Sequence, residues 1–315
     1  MITEMDERDL IIKTFENSIG EDVRSIYRLD SVPNNRVYKI ETRSQSYIFK
    51  IFAKRDWPED GKLPFINQKL EEYRIPHARL YVFDRQDSNF PNGYLIEECL
   101  PGATADRLEL SLDDNIGLYR KLAQLVSRLH EIEVKNYGYT GSGTAAWTTF
   151  SGFINDIFDD STSNLKDNNM VDTAKLDTIR ENLFERLKEC DRYPSVICHG
   201  DLSTKNIIVD SDEIVLIDWD DAQSLCWMAD IARLTFWMKL NYDSKYADFY
   251  RTVFLEYYET EFDKCAFDML EGALHVWYGL DYLNFAVVTP NYQYQCDTLK
   301  NLLQRALWTS GIGEL

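Results

Sequence analysis

Residues Val196 to Ala222 read VICHGDLSTKNIIVDSDEIVLIDWDDA. Two apolar runs, Asn206 to Val209 and Glu213 to Ile217, flank the polar turn Asp210-Ser211-Asp212, the pattern of a β-hairpin. A turn centred on Ser211 and Asp212 sets Asn206 opposite Ile217, to within a residue, and therefore next to Asp218. Asp201 lies just ahead, on the entering loop. Hairpin geometry thus gathers a carboxylate, a carboxamide and a second carboxylate at one end of a ribbon. Oxygen donors of this kind suit Mg²⁺, which keeps several waters and bridges substrate phosphates. Any one of these residues alone would read as ordinary polar punctuation around a turn. The informative feature is the spacing His199-x-Asp201-x₄-Asn206, followed by Asp218 after an apolar strand.

That spacing resembles the catalytic loop and metal-binding aspartate of kinase-like phosphotransferases. Gly200 after His199 and Trp219 after Asp218 are similar to the aminoglycoside phosphotransferase and choline kinase superfamily. The segment YLIEECLPG, Tyr94 to Gly102, resembles its hinge, and Asp230-Ile231-Ala232 its helix after the metal strand. Within the superfamily the motifs most resemble hygromycin B phosphotransferase. The shared features are the YGYTGSG loop before a Trp-containing helix, Phe236-Trp237, and Gly279-Leu280-Asp281. The resemblance implies that Asp201 is the catalytic base and that His199, a structural histidine, orients the catalytic loop. It makes Asn206 and Asp218 the Mg²⁺ ligands. Asp220 either supports the metal site or is simply solvated.

Lys50 lies in Tyr47-Ile48-Phe49-Lys50-Ile51-Phe52, where a period of two puts it on the face of Ile48 and Phe52. A lysine among apolar neighbours needs an anion or must snorkel. It matches the superfamily lysine that holds nucleotide phosphates. The phosphate-covering turn would be 31–35, with Ser31, Asn34 and Asn35 as donors. Backbone groups of Glu98, Cys99 and Leu100 would meet the adenine. The superfamily usually pairs the strand lysine with a glutamate on the small-lobe helix, but Leu63-Pro64-Phe65-Ile66 carries no acid. Glu59, Asp60 and Glu71 are the substitutes to test. On the acceptor side, Asp281 interrupts an apolar helix, which is costly unless it is paired or faces a wet cleft. Asp156, Asp159 and Asp160 cluster on another helix. Asp281, Asp156 and Asp160 are the substrate candidates, against an internal salt bridge for the first and a solvated helix end for the cluster.

Working outward, helical spacing covers Glu4 to Ser18, and strands are predicted at Arg36 to Ile40, Tyr47 to Phe52, Leu80 to Phe83 and Tyr94 to Glu98. A short helix is predicted over Phe65 to Tyr73. After the breaker Leu100-Pro101-Gly102 the pattern becomes helical: Asp113 to Ile132, Phe150 to Phe158, Leu176 to Leu187, Tyr246 to Tyr258 and Met269 to Val288. Tyr137 to Thr144 reads as a glycine-rich connection, since it lacks the strand-to-helix spacing of a phosphate loop. The expected fold is α+β, a two-lobed protein-kinase-like architecture. A small β-rich nucleotide-binding lobe (1–98) leads through a hinge (99–103) to a larger, mostly helical lobe (104–315).

The composition agrees. With 44% hydrophobic residues, the 315-residue chain has enough for a core and is not globally disordered. The net charge of −19 disfavours nucleic acid and anionic membranes, and it either draws in a cationic ligand or merely keeps the protein soluble. Six scattered cysteines without a CxxC pair and four dispersed histidines write neither a zinc site nor a disulfide framework. The stretch from Gly272 is broken by His275, Asp281 and Asn284 and reads as a buried helix, not a membrane span. The acidic N-terminus lacks the order of a signal peptide, so a cytoplasmic location is expected. The expected activity is transfer of phosphate from ATP, or GTP, with Mg²⁺, to a hydroxyl of a small cationic molecule such as an aminoglycoside. The alternatives are a metabolic kinase for choline, a sugar or an amino-acid alcohol, and a non-catalytic kinase-like binding protein. Oligomeric state is not legible.

Overall fold

The computed structural model describes residues 4–29, 35–259 and 263–315. In chain order the first elements are α1 (Glu4–Ile19), β1 (Ser25–Leu29), β2 (Arg36–Glu41), β3 (Ser46–Ile51), α2 (Lys62–Glu72), β4 (Leu80–Asp84), β5 (Tyr94–Glu98) and β6 (Ala103–Thr104). Then come α3 (Leu112–Leu129), β7 (Gly138–Tyr139), α4 (Phe150–Ile157), α5 (Ser163–Asp167), α6 (Thr173–Leu187), β8 (Ser195–Cys198), β9 (Ile207–Asp210), β10 (Glu213–Leu216) and β11 (Gln223–Cys226). The chain ends with α7 (Trp227–Asn241), α8 (Ser244–Tyr257), α9 (Lys264–Val288) and α10 (Cys296–Ser310). The contacts divide them into two compact units. One comprises 1–108, 141–143 and 204–221; the other comprises the remaining residues.

The first unit is built on a five-stranded antiparallel sheet in the order β1-β2-β3-β5-β4. Strand alternation sorts its faces. Phe49, Ile51, Tyr94 and Ile96 turn to one side and pack with Ile11 and Phe15 of α1. Phe49 stacks on Tyr94 at 4.9 Å between ring centroids. Lys50 and its cross-strand partner Leu95 turn to the other side, toward Leu63 and Ile66 of α2. Helix α2 begins earlier than the predicted Phe65, because Pro64 falls in the first turn, where a helix needs no N–H. Strand β1 was not among the predicted strands. It is a sheet edge with Tyr27 and Leu29 exposed, so it lacks a strong apolar period.

The same unit holds a second sheet, β10-β9-β6. The hairpin has the predicted register: Asp210 faces Glu213 and Ile207 faces Leu216, across a turn in which Ser211 adopts φ 53°. The breaker glycine also has a stated reason. Gly102 has φ 95°, and a Cβ there would stand 2.2 Å from the Val209 carbonyl oxygen. Only glycine fits where the segment after β5 crosses β9.

The second unit is mostly helical. Helix α3 starts with a reciprocal cap, Ser111 and Asp114 each bonding the other's backbone N–H. Helix α9 is buried almost all round and packs on α7, α10, α5 and α6. No helix among the described residues is long and apolar enough to cross a membrane. A small sheet, β7-β11-β8, carries the segment from His199 to Asp201 out of β8 and feeds α7 from β11. The glycine-rich segment supplies β7 and a single tight turn. Trp147 precedes α4 instead of lying within it and pairs backbone to backbone with Tyr137.

Candidate active site

In the first unit the chemistry converges on Lys50. Its ammonium donates to Asp218 Oδ1 at 2.7 Å and Asp220 Oδ1 at 2.9 Å. Burial opposes its charge, but the two carboxylates outweigh this and raise its pKa. The partners differ in exposure. The Asp220 side chain is 9% exposed and that of Asp218 is 42%, so Asp220 is the buried anchor and Asp218 the solvent-side partner. Asp220 also accepts from Asn35 Nδ2 at 3.0 Å, and Asn35 Oδ1 accepts from the Ala53 N–H. Asp220 is therefore neither solvated nor incidental.

Glu59, Asp60 and Glu71 do not take the place of the missing glutamate. Glu59 pairs with Lys62 at 2.5 Å, Asp60 approaches Arg85, and Glu71 is exposed. Helix α2 contributes a cation. Lys62 is completely buried, donates to the Asp220 carbonyl oxygen at 3.1 Å and lies 3.9 Å from the Trp57 ring centroid. Burial lowers its pKa, with Glu59 opposing. Sequence reading passed over Lys62 because it resembles an exposed helix start. Glu97 was missed for a similar reason: strand alternation puts it on the face of Lys50, but a glutamate next to Glu98 looks like hinge polarity. It lines the same small cavity as Lys50, Leu63, Ile66, Asp218 and Asp220. Burial pushes its carboxyl up to about 7, against the pull of Lys50.

Asn206 and Asp218 come together at the ribbon end, where the Asn206 carbonyl oxygen accepts from the Ile217 N–H at 3.0 Å. Asp218 takes a left-handed backbone, φ 63°, on leaving β10. A carboxamide and a solvent-side carboxylate from one ribbon end are hard oxygen donors, and this set fits Mg²⁺. At the hinge, two backbone donors are already used. The Glu98 N–H bonds the Arg79 carbonyl oxygen at 2.9 Å, and the Cys99 N–H bonds that of Ser46 at 3.2 Å. Ser31 and Asn34 lie outside the described residues.

In the second unit, His199 is fully buried and its ring Nδ1 accepts from the Asp201 N–H at 3.3 Å. The loop is braced from behind. Asp230, in the first turn of α7, accepts from the N–H of His199 at 2.8 Å and of Gly200 at 3.0 Å. His130 Nε2 contacts Asp230 Oδ2 at 3.3 Å, and its Nδ1 meets the Tyr258 hydroxyl at 2.7 Å. Burial resists ionisation of Asp230, but His130 and the loop amides hold its pKa below the ordinary carboxylate range. Asp201 itself meets Trp237 Nε1 at 3.3 Å and Arg233 Nη2 at 3.5 Å.

The substrate candidates separate. Burial raises the pKa of Asp281, while Arg233 and a hydrogen bond from Ser161 oppose that. Asp156 accepts from Trp147 Nε1 at 2.7 Å. Asp159 pairs with Lys166 and Arg180, and Asp160 is exposed.

Lobe composition, hairpin and braced loop together define a kinase-like fold. A family model described as "Phosphotransferase enzyme family" (APH) matches residues 28–267. The chain belongs to that family: it is a phosphotransferase of the small-molecule kinase type. Among solved structures, it is similar to a thermostable mutant of aminoglycoside phosphotransferase APH(4)-Ia in ternary complex with ADP and hygromycin B. The TM-score is 0.74 and the identity 16%, covering 96% of this chain and 99% of the other. A putative aminoglycoside phosphotransferase from Ralstonia eutropha JMP134 gives TM-score 0.70 at 11% identity, covering 98% and 99%. Spectinomycin phosphotransferase APH(9)-Ia, with ADP and spectinomycin, gives 0.62 at 13%, covering 94% and 93%. A search of curated protein sequences found no match.

Proposed function

We propose that the protein transfers the γ-phosphate of ATP to a hydroxyl of a small cationic acceptor of the aminoglycoside or aminocyclitol class. The observation that carries this reading is Lys50 bridging Asp218 and Asp220 beside Asn206. Lys50 holds the nucleotide phosphates, and Leu100 supplies the hinge donor that Glu98 and Cys99 spend internally. Asn35 steadies Asp220. Asn206 and Asp218 are the residues that would hold Mg²⁺, which when bound neutralises phosphate charge. Asp201 accepts the acceptor's hydroxyl proton as the oxygen forms its bond to phosphorus, and the bond to the β-phosphate oxygen breaks to release ADP. His199 and Asp230 keep the loop in shape for that transfer. Similarity to structures that contain ADP with hygromycin B or spectinomycin supports the class of acceptor.

A second reading, a metabolic kinase with a neutral polyol acceptor, is favoured by one observation: Arg233 offsets the charge of Asp281. Incubating the enzyme with MgATP and a panel of aminoglycosides, aminoalcohols and sugars, with product masses measured, separates the readings. A phosphorylated aminoglycoside supports the first. A phosphorylated sugar alone replaces it with the second. MgATP binding without transfer or hydrolysis would leave a binding protein.

A further inference from the structure

Arg233 reaches the carboxylate that the sequence assigned as the catalytic base. It lies on α7, one helical turn before Trp237. Its guanidinium packs over the Tyr278 ring at 4.8 Å and the Trp237 ring at 5.4 Å, and its side chain is 12% exposed. Those two rings restrict its rotamers, so the ordering cost of holding its charge in place is already met by packing. From this position Nη2 reaches Asp201 Oδ1 at 3.5 Å, the same oxygen that accepts from Trp237 Nε1. The guanidinium also acts electrostatically on Asp281 of α9.

We propose that Arg233 is a positioning residue for phosphoryl transfer: with Trp237 it sets the plane of the Asp201 carboxylate. The proposal rests on the reading of Asp201 as the base. Two contacts from one helix face converge on a single carboxylate oxygen, so rotation of the Asp201 side chain breaks both. A carboxylate that takes a proton from a hydroxyl must present its lone pair along one direction, and a small misplacement is costly in rate.

The test compares Arg233→Met, which keeps the stem and removes the charge, with Arg233→Lys. For the best acceptor, Arg233→Met is expected to lower kcat about 10²-fold, with the KM for MgATP nearly unchanged, and Arg233→Lys to recover part of the loss. A kcat near the parental value in Arg233→Met, with or without a lowered Tm, overturns the proposal. So does a loss that Arg233→Lys leaves unrelieved. Should Arg233→Met fail to fold, Trp237→Phe, which removes the other contact, is expected to lower kcat in the same direction, and parental kcat there overturns the shared positioning. Crystal structures of Arg233→Met and Arg233→Lys add a readout independent of any acceptor. The Asp201 carboxylate is expected to turn in the first and keep its orientation in the second; an unturned carboxylate in Arg233→Met overturns the proposal. A parent that transfers phosphate to no acceptor refutes the proposed function, and the carboxylate orientation then decides the role of Arg233 alone.

Discussion

Lys50 and Asp220 form an ion pair in which both side chains are less than a tenth exposed, Nζ to Oδ1 2.9 Å apart. Removing one member of a buried pair strands the other's charge, which commonly costs about 3–5 kcal/mol. Asp218 remains next to Lys50 and softens that loss. Asp220→Ala is therefore expected to fall at the lower end of the range, or somewhat below it, in urea unfolding, and to weaken nucleotide binding. Asp220→Asn, which preserves shape and one of the two acceptor oxygens, should lose less. Parental stability in Asp220→Ala would show that Asp220 does not anchor the lysine.

The base assignment makes a narrower forecast. Asp201→Asn removes the proton acceptor while leaving the bracing of the His199 and Gly200 amides by Asp230 in place. Transfer is expected to drop about 10²–10⁴-fold, with nucleotide affinity and Tm close to the parent. Calorimetric titration with a non-hydrolysable ATP analogue, beside a transfer assay, checks both halves. Transfer at nearly the parental rate would rule Asp201 out as the base.

Asn206 and Asp218 should separate by degree. Asp218→Ala is expected to abolish the Mg²⁺ dependence of nucleotide binding, and Asn206→Ala to shift it to higher metal concentration. The charged ligand contributes more attraction to a hard dication than the neutral one. Titrating Mg²⁺ against a fixed concentration of the analogue reads this. A metal dependence in Asp218→Ala like that of the parent places the ion elsewhere.

Glu97 predicts a pH effect on stability. Its carboxyl is raised from 4.5 to about 7 in the fold. The folded chain therefore keeps a proton that the unfolded chain has released. Such a group stabilises the fold fully below about pH 4.5, and its contribution is lost as pH rises to about 7, by up to ~3 kcal/mol. Glu97→Gln should flatten the decline in Tm between pH 5 and about 7.5. Identical pH profiles for variant and parent would show that Glu97 does not carry that proton.

The hairpin was legible because its signal is local. The Asp210-Ser211-Asp212 turn fixes register, and register alone carries Asn206 to Ile217 and Asp218. Lys50 was legible because a charge in an alternating apolar strand breaks the pattern. Asp220, Lys62, Glu97, Arg233 and the His130–Asp230 brace were either undecided or missed. Their roles depend on partners tens to hundreds of residues away, and a charge paired across the fold resembles a solvated one in sequence. Pro64 misplaced the start of α2, since a proline reads as a breaker unless its place in the first turn is known.

The sheet that carries Lys50 is not a self-sufficient piece of chain. Its unit borrows 204–221 from far downstream, and with it both counter-ions of Lys50 and the carbonyl that receives Lys62. A gene fragment ending at 108 would encode every strand of the five-stranded sheet yet leave two sequestered ammonium groups without those anions and that acceptor. The Gly102 crossing would likewise lose the strand it fits against. This unit is thus an interleaved object, assembled from distant stretches of one chain. Recombination at the apparent hinge would separate Lys50 from the residues that make its burial tolerable.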